Sequence, residues 1–307
     1  MPILVAVMVT LWLGLAISAG AQTPAASGVA ADAGAKPKPS TANKTKAAKP
    51  ARKSTASDFK MILEPRAMDL LRATSAKLAA AKAMSFTATV GYEYPSKLGP
   101  PLVYTTRYDV LMQRPDKLRI ISPGDGPVSE FYYDGKTMTA YAPVENLAAV
   151  ALAPPTVDGA LAAAFKNYAI FYPFMDLVAA DPYAALTDGA ILAFYIGQST
   201  SVGGVKTDML AWANNDVFLQ IWIGVDDKLP RRIRAMYAAD PLALHHELIL
   251  SNWQLDPMVP ADAFASAKAQ AAGKMAFAAP SLPKGLKPLT SNAAKKAAPA
   301  AAPAKTN

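Results

Sequence analysis

The chain has 307 residues, 31 Lys/Arg against 23 Asp/Glu, a net charge of +8, and no cysteine. Without a thiol there is no disulfide framework, no thiolate metal site and no lipid anchor on an N-terminal cysteine. The charge is uneven: residues 22–57 hold seven Lys/Arg against one Asp, residues 284–307 hold five Lys and no acid, and residues 58–283 hold 19 basic against 22 acidic groups. A slightly acidic middle between basic ends does not make a nucleic-acid-binding surface, so no nucleic acid is expected as a partner.

The opening "MPILVAVMVTLWLGLAISAGAQ" carries an apolar run from Ile3 to Ile17 and the small triplet Ala19-Gly20-Ala21. It reads as a signal peptide over 1–21, cleaved before Gln22, so the protein is expected to be exported, to the periplasm in a host with two membranes. A membrane span needs roughly 20 apolar residues, which this run does not reach; a retained anchor is the alternative. Residues 22–57 and 284–307 are rich in Ala, Lys and Pro and are expected to be disordered, since they hold too little apolar surface to order themselves. They either solubilise the protein or make weak contact with anionic membrane or cell wall. Residues 58–283 make one domain, large enough to bury a core without staples.

Within that domain, residues 64–83 predict a helix with Pro65 at its first position and Ala67, Leu71, Thr74, Leu78 and Ala81 on one face. "SFTATVGYEY" and "LVYTTRYDVLM" alternate apolar and polar residues around the loop "PSKLGPP" and predict an antiparallel pair, followed by the strand "KLRIIS". "FYYDGKTMTAYAP", residues 131–143, predicts a hairpin about a two-residue turn at Asp134-Gly135, with Tyr133 facing Lys136 and Phe131 facing Met138. Phe131, Met138 and Ala140 then share one side, and Glu130, Thr137 and Thr139 the other. The meander is expected to have one wet face.

Residues 144–190 lose the period of two and predict a helical insertion over the sheet. Thr156 caps a helix running to about Asn167, and two short helices follow, the second with Asp181 as cap and Pro182 at its first position. Strands resume at 191–196, about 202–213, 216–225, 229–237 and 244–253, with turns at Gly203-Gly204 and Asp226-Asp227. In "DVFLQIWIGV" both faces are apolar, so both are expected to be covered. The Ala-rich segment 261–280 gives no clear period.

The order of elements, with "MQRPDKLRI" before "FYYDGKTMTAYAP", resembles the periplasmic lipoprotein carriers of the LolA/LolB type. Arg114-Pro115, Leu118, Asp134-Gly135-Lys136-Thr137, Tyr141 and Pro143 stand at the places of their signature. The chain is more closely similar to a group of predicted periplasmic proteins related to those carriers, domain of unknown function 2092, through "QRPDKLR", "FYYDGKT" and "DPYAAL". The resemblance implies an α+β, mainly β fold: a LolA-like open half-barrel of antiparallel strands, closed by lid helices over an apolar cavity that holds acyl chains. It also implies that Arg114 latches the lid. The carriers' aromatic last strand is replaced here by "AFASAKAQAAG".

On this reading Phe131, Met138, Tyr108, Trp222 and Trp253 line the cavity; on the plainer one they pack a sheet against helices. Arg114 is either a latch, which needs acceptors such as the carbonyls at a lid helix's C-terminus, or a solvated strand-end arginine. No P-loop, Rossmann glycine pattern or nucleophile elbow occurs, so no catalytic residue and no cofactor are expected. The only histidines, His245 and His246, are adjacent in a strand and point to opposite faces, which does not suit a shared metal. The expected function is non-enzymatic: binding or carriage of the acyl chains of a lipid or lipoprotein, with an envelope protein as a further partner. The alternative is an envelope scaffold with a filled barrel, whose basic tails bind cell wall or partner proteins.

Overall fold

The computed structural model describes residues 62–278. The expected signal peptide at 1–21 with its cleavage before Gln22, the linker at 22–57 and the tail at 284–307 lie outside the described residues. Helix α1 (Pro65–Ala80) has Pro65 in its first turn and buries Ala67, Leu71, Thr74, Ser75 and Leu78, the face that the 3–4 spacing predicts. Strands β1 (Ala83–Tyr94) and β2 (Leu102–Gln113) form a long antiparallel hairpin, extended by β3 (Lys117–Ser122), β4 (Ser129–Tyr133) and β5 (Thr137–Ala142).

The β4–β5 register differs from the expected one. Tyr133 pairs with Met138 and Phe131 with Ala140, a slip of two residues. The Asp134 carboxylate accepts the backbone N–H groups of Lys136 at 2.9 Å and Thr137 at 2.7 Å, which holds a wider loop. Only Gly135 there has a positive φ, 92°, whereas the expected turn needs two such residues. Because side chains alternate with period two, the slip keeps Phe131, Met138 and Ala140 on one face.

A strand absent from the sequence reading, β6 (Leu147–Leu152), follows next. Consecutive Ala148 and Ala149 are both buried, so the segment shows no alternation to read. Helices α2 (Val157–Tyr168), α3 (Met175–Val178) and α4 (Pro182–Thr187) then cross the sheet. Thr156 caps α2 by accepting from the Gly159 N–H at 3.1 Å, and Asp181 caps α4 by accepting from Ala184 N–H at 3.0 Å, both as expected.

The second meander comprises β7 (Leu192–Ser199), β8 (Thr207–Ala213), β9 (Val217–Gly224), β10 (Pro230–Tyr237) and β11 (His245–Leu255). Helix α5 (Ala267–Ala271) and β12 (Gly273–Met275) end the described chain. All twelve strands belong to one sheet ordered β12-β6-β5-β4-β3-β2-β1-β11-β10-β9-β8-β7. The two meanders meet where β11 pairs with β1; β12 and β7 are the outermost strands, and Leu63 forms an isolated parallel bridge to Ala193 of β7. The result is the mainly-β, α+β architecture that the resemblance implied: one large, mostly antiparallel sheet with a few helices.

Helices α1–α4 cover the inner face. One apolar cluster there joins Phe86, Val110, Leu118, Ile120, Phe131 and Met138 of the first meander to Leu161 and Ala164 of α2 and to Phe174 and Leu177 at α3. A second joins Ala67 and Leu71 of α1 to Leu210, Trp212, Ile221 and Ile223. The outer face is not uniformly wet. Leu111 packs on Ala263 and Phe264, and Tyr141 and Ala148 pack on Ala269 and Ala272. The Ala-rich C-terminal segment is therefore an outer cover, held by Phe264 and alanines against Leu111, Tyr141 and Ala148.

Candidate functional site

Four of the five residues expected in the cavity come together on the inner face. Phe131 and Met138 belong to the first apolar cluster, and Tyr108 and Trp253 pack against it. Their neighbours are aromatic. The Phe131 and Tyr172 rings lie 5.8 Å apart, and Tyr108 lies 5.7 Å from both Tyr172 and Phe174. Phe174 stands edge-on to Phe86 at 5.5 Å, and Phe86 lies 4.4 Å from Trp253. The Trp253 indole N–H, the polar handle of that ring, donates to the Pro230 carbonyl at 2.9 Å. Burial pushes the Tyr108 and Tyr172 hydroxyls up from their ordinary pKa.

The expected hollow at these positions is occupied by the protein itself. Phe131 is 2 % and Met138 1 % exposed, because the segment ahead of α3 lays Tyr172 and Phe174 onto them. Open hollows lie elsewhere: one of about 380 Å³ beside Lys82, Gln113 and Asp256, and one of about 190 Å³ between Tyr132 and Phe264 on the outer face.

Trp222 is a correction. Ile221 and Ile223 point inward to the α1 cluster, so the period of two sends Trp222 to the outer face. There the Arg232 guanidinium sits 4.9 Å above its ring, a cation–π contact. Phe218, on the same outer side, is exposed, so β9 is covered on that face only around Trp222.

Arg114 leaves the end of β2 and reaches the end of α3. Its guanidinium donates to the carbonyls of Ala179 at 2.8 Å and Val178 at 3.4 Å. Val178 is the last residue of α3 and Ala179 its C-cap, where unpaired carbonyls and the negative end of the helix favour a cation. Burial lowers the Arg114 pKa, and the nearby Asp158 carboxylate opposes that shift. Asp158, in the first turn of α2, accepts the Ala180 N–H at 3.1 and 3.0 Å through its two oxygens. The Val157 N–H donates to the Pro115 carbonyl at 3.0 Å. The Arg-Pro step, the start of α2 and the end of α3 are thus tied in one network. Asp158 was not singled out by sequence; its signal was an acid just after the Thr156 cap.

Asp176 in α3 was also missed. Burial alone pushes its carboxyl up to about 7, and the Tyr237 hydroxyl on β10 is raised mainly by burial and further by the Asp176 charge. The histidines sit on opposite faces of β11. His245 approaches the Glu93 carboxylate through Nδ1 at 3.1 Å and the Arg234 guanidinium through Nε2 at 2.6 Å. His246 stands edge-on to Tyr237 at 5.1 Å, and burial lowers its pKa.

Several solved structures are similar at low identity. LprF from Mycobacterium bovis is 15 % identical, over 64 % of this chain and 97 % of that one, with a TM-score of 0.39. A LolA superfamily protein from Nitrosomonas europaea is 11 % identical, over 65 % of this chain and 97 % of that one, with a TM-score of 0.31. The MucA/MucB complex of Pseudomonas aeruginosa matches at 16 % identity and a TM-score of 0.36, over 66 % of this chain and 62 % of that one. No curated protein matches the chain. The model of the family described as "Predicted periplasmic protein (DUF2092)" matches residues 67–278, and the chain belongs to that family.

Proposed function

We propose that this is a periplasmic, non-enzymatic carrier-type protein that takes the acyl chain of a lipid or lipoprotein between its sheet and the α2–α3 segment, and that the described form is the closed one. The observation that carries this reading is Arg114 bonded to the end of α3 directly over an aromatic interior. In this role Arg114 is a latch. Lifting α3 withdraws Tyr172 and Phe174 from the inner face and opens space beside Phe131, Met138, Tyr108 and Trp253. α3 is only four residues long, so few backbone bonds oppose its movement. A 16-carbon chain buried there gains on the order of 10 kcal/mol, at about 0.8 kcal/mol per CH₂, before the costs of opening.

A second reading has its own support. Phe131 and Met138 are sealed by the protein's own rings, as suits an envelope scaffold with a filled barrel whose basic tails hold cell wall or a partner. The deciding experiment is organic extraction of the protein purified from its native envelope, followed by mass spectrometry, with displacement of a fluorescent fatty acid in parallel. A stoichiometric lipid or acylated peptide supports the carrier and identifies its cargo. An empty extract with no fatty-acid binding rejects it in favour of the scaffold.

A further inference from the structure

The β1–β2 hairpin runs past its neighbours. The pairing of β1 with β11 stops at Tyr92 opposite His246, and the pairing of β2 with β3 begins only at Asp109 opposite Ile121. Beyond those points Glu93–Tyr94 and Leu102–Val103 pair only with each other. This projecting end is apolar. Leu98 is 92 % exposed, Val103 68 %, Leu102 53 %, Tyr94 52 % and Tyr104 46 %. Between residues 94 and 106 the one charged side chain is Lys97. The charges at its base are engaged in pairs, Glu93 with His245 and Arg107 with Asp109.

Two features decide what such a tip fits. First, exposed apolar side chains stand on both faces: Leu102 and Tyr104 lie on one side of β2, and Val103, opposite the His245-paired Glu93, lies on the other. A protein partner docking on a flat face or groove needs one apolar side; a medium that surrounds the tip needs both. Second, the tip is graded along its length. Leu98 leads, and Tyr94, Tyr104 and Tyr92 follow, with rings 6.2 and 5.8 Å apart. Tyrosines in that position suit the headgroup level of a membrane, with the ring in the apolar part and the hydroxyl in water. Lys97 adds attraction for anionic headgroups. The unpaired backbone edge of β2 limits the depth, because exposed amides are not tolerated in the hydrocarbon.

We propose that the tip of this hairpin, residues 94–104, docks in the headgroup region of a lipid bilayer. Tyr92 and Tyr104 share a strand face with Tyr108, whose ring meets Tyr172 and Phe174 in the interior. A docked tip therefore sets a row of aromatic rings between the bilayer and the inner face. That consequence rests on the acyl-chain reading; docking itself does not.

The test uses the full exported chain and vesicles of phosphatidylethanolamine and phosphatidylglycerol, in about 0.5 M salt so that the basic tails are screened. Sedimentation is expected to show binding that falls about tenfold or more in the double variant Leu98→Asp/Val103→Asp, since each side chain exchanges buried apolar surface for a charge. Because the chain has no cysteine, a dye sensitive to polarity can be placed by Leu98→Cys, with Ser201→Cys in the β7–β8 turn as control. Only the Leu98 site is expected to shift to the blue on adding vesicles. Equal binding by wild type and double variant, absence of binding by both, or a dimer that the double variant dissolves without any vesicle binding overturns the proposal. Fatty-acid displacement in the same variants separates the two readings. If displacement is retained while docking fails, this inference alone is rejected; if displacement is absent while docking holds, the acyl-chain reading is.

Discussion

Arg114 and Asp158 grip opposite sides of one peptide group. Arg114 donates to the Ala179 carbonyl at 2.8 Å, and Asp158 accepts the adjoining Ala180 N–H at 3.0 Å. A cation on the oxygen and an anion on the N–H each reinforce the dipole of that peptide, so the two residues act on the end of α3 together.

Arg114→Leu removes both donors from the Val178 and Ala179 carbonyls. The expected loss is about 1.5–3 kcal/mol of stability, the range for bonds to a charged group. Hydrogen exchange should accelerate at residues 174–180 more than in β1 or β11. Arg114→Lys should restore charge but not the two-pronged contact, and so only part of the protection. Exchange that rises evenly over the whole domain would count against a local latch.

Asp158→Asn keeps the size of the side chain and removes its charge. Alone it should cost roughly 1 kcal/mol. Combined with Arg114→Leu it should cost less than the sum of the two, with a coupling of about 0.5–2 kcal/mol, because both act on one peptide. Strict additivity in urea melts would mean that the two contacts are independent.

Stability should fall as pH rises between about 4 and 7. Asp176 holds its proton up to about pH 7 when folded, against an ordinary value of 3.8. Below about pH 4 both folded and unfolded chains carry the proton and there is no penalty. Between about 4 and 7 the unfolded chain ionises first, so stability falls, and above 7 the penalty is constant. The shift sets an upper limit of about 4 kcal/mol, and the part of the side chain still in water reduces it to roughly 1–2 kcal/mol. Asp176→Asn should flatten the decline between pH 4 and 7. Parallel pH–stability curves for wild type and variant would show that Asp176 is not its source.

Phe174→Ala separates carrier from scaffold. Removing the ring should cost about 3–5 kcal/mol and leave a cavity beside Phe86 and Tyr108. A carrier should then bind fatty acid at least as well as wild type and regain part of its lost melting temperature when the ligand is added. A filled scaffold should melt lower with no rescue.

Deleting 22–57 and 284–307 from the chain tests the scaffold's reliance on them. The scaffold predicts loss of cell-wall or partner binding; the carrier predicts undiminished fatty-acid binding. Fluorescence displacement and envelope fractionation read the two outcomes.

Much of the local structure was legible because its causes are local. Pro65 and the spacing of Ala67, Leu71, Thr74 and Leu78 mark α1, Thr156 and Asp181 cap their helices through N–H groups three residues away, and alternation in "SFTATVGYEY" places Phe86, Ala88 and Val90 on one face. Period two also survived a wrong turn at Asp134, since a slip of two residues moves no side chain across the sheet. Where alternation fails, as in Ala148 and Ala149 of β6, the strand could not be read.

The tertiary structure decided whatever depends on distant partners. It brought Val178 and Ala179 to Arg114, set Trp222 under Arg232 on the outer face, and laid Tyr172 and Phe174 onto Phe131. It also carried the β1–β2 tip beyond β3 and β11, leaving its leucines and tyrosines in the open. Side-chain type and spacing along the chain say which residues seek apolar company or a charge partner. Which partner they meet is settled only when strands far apart in sequence lie side by side.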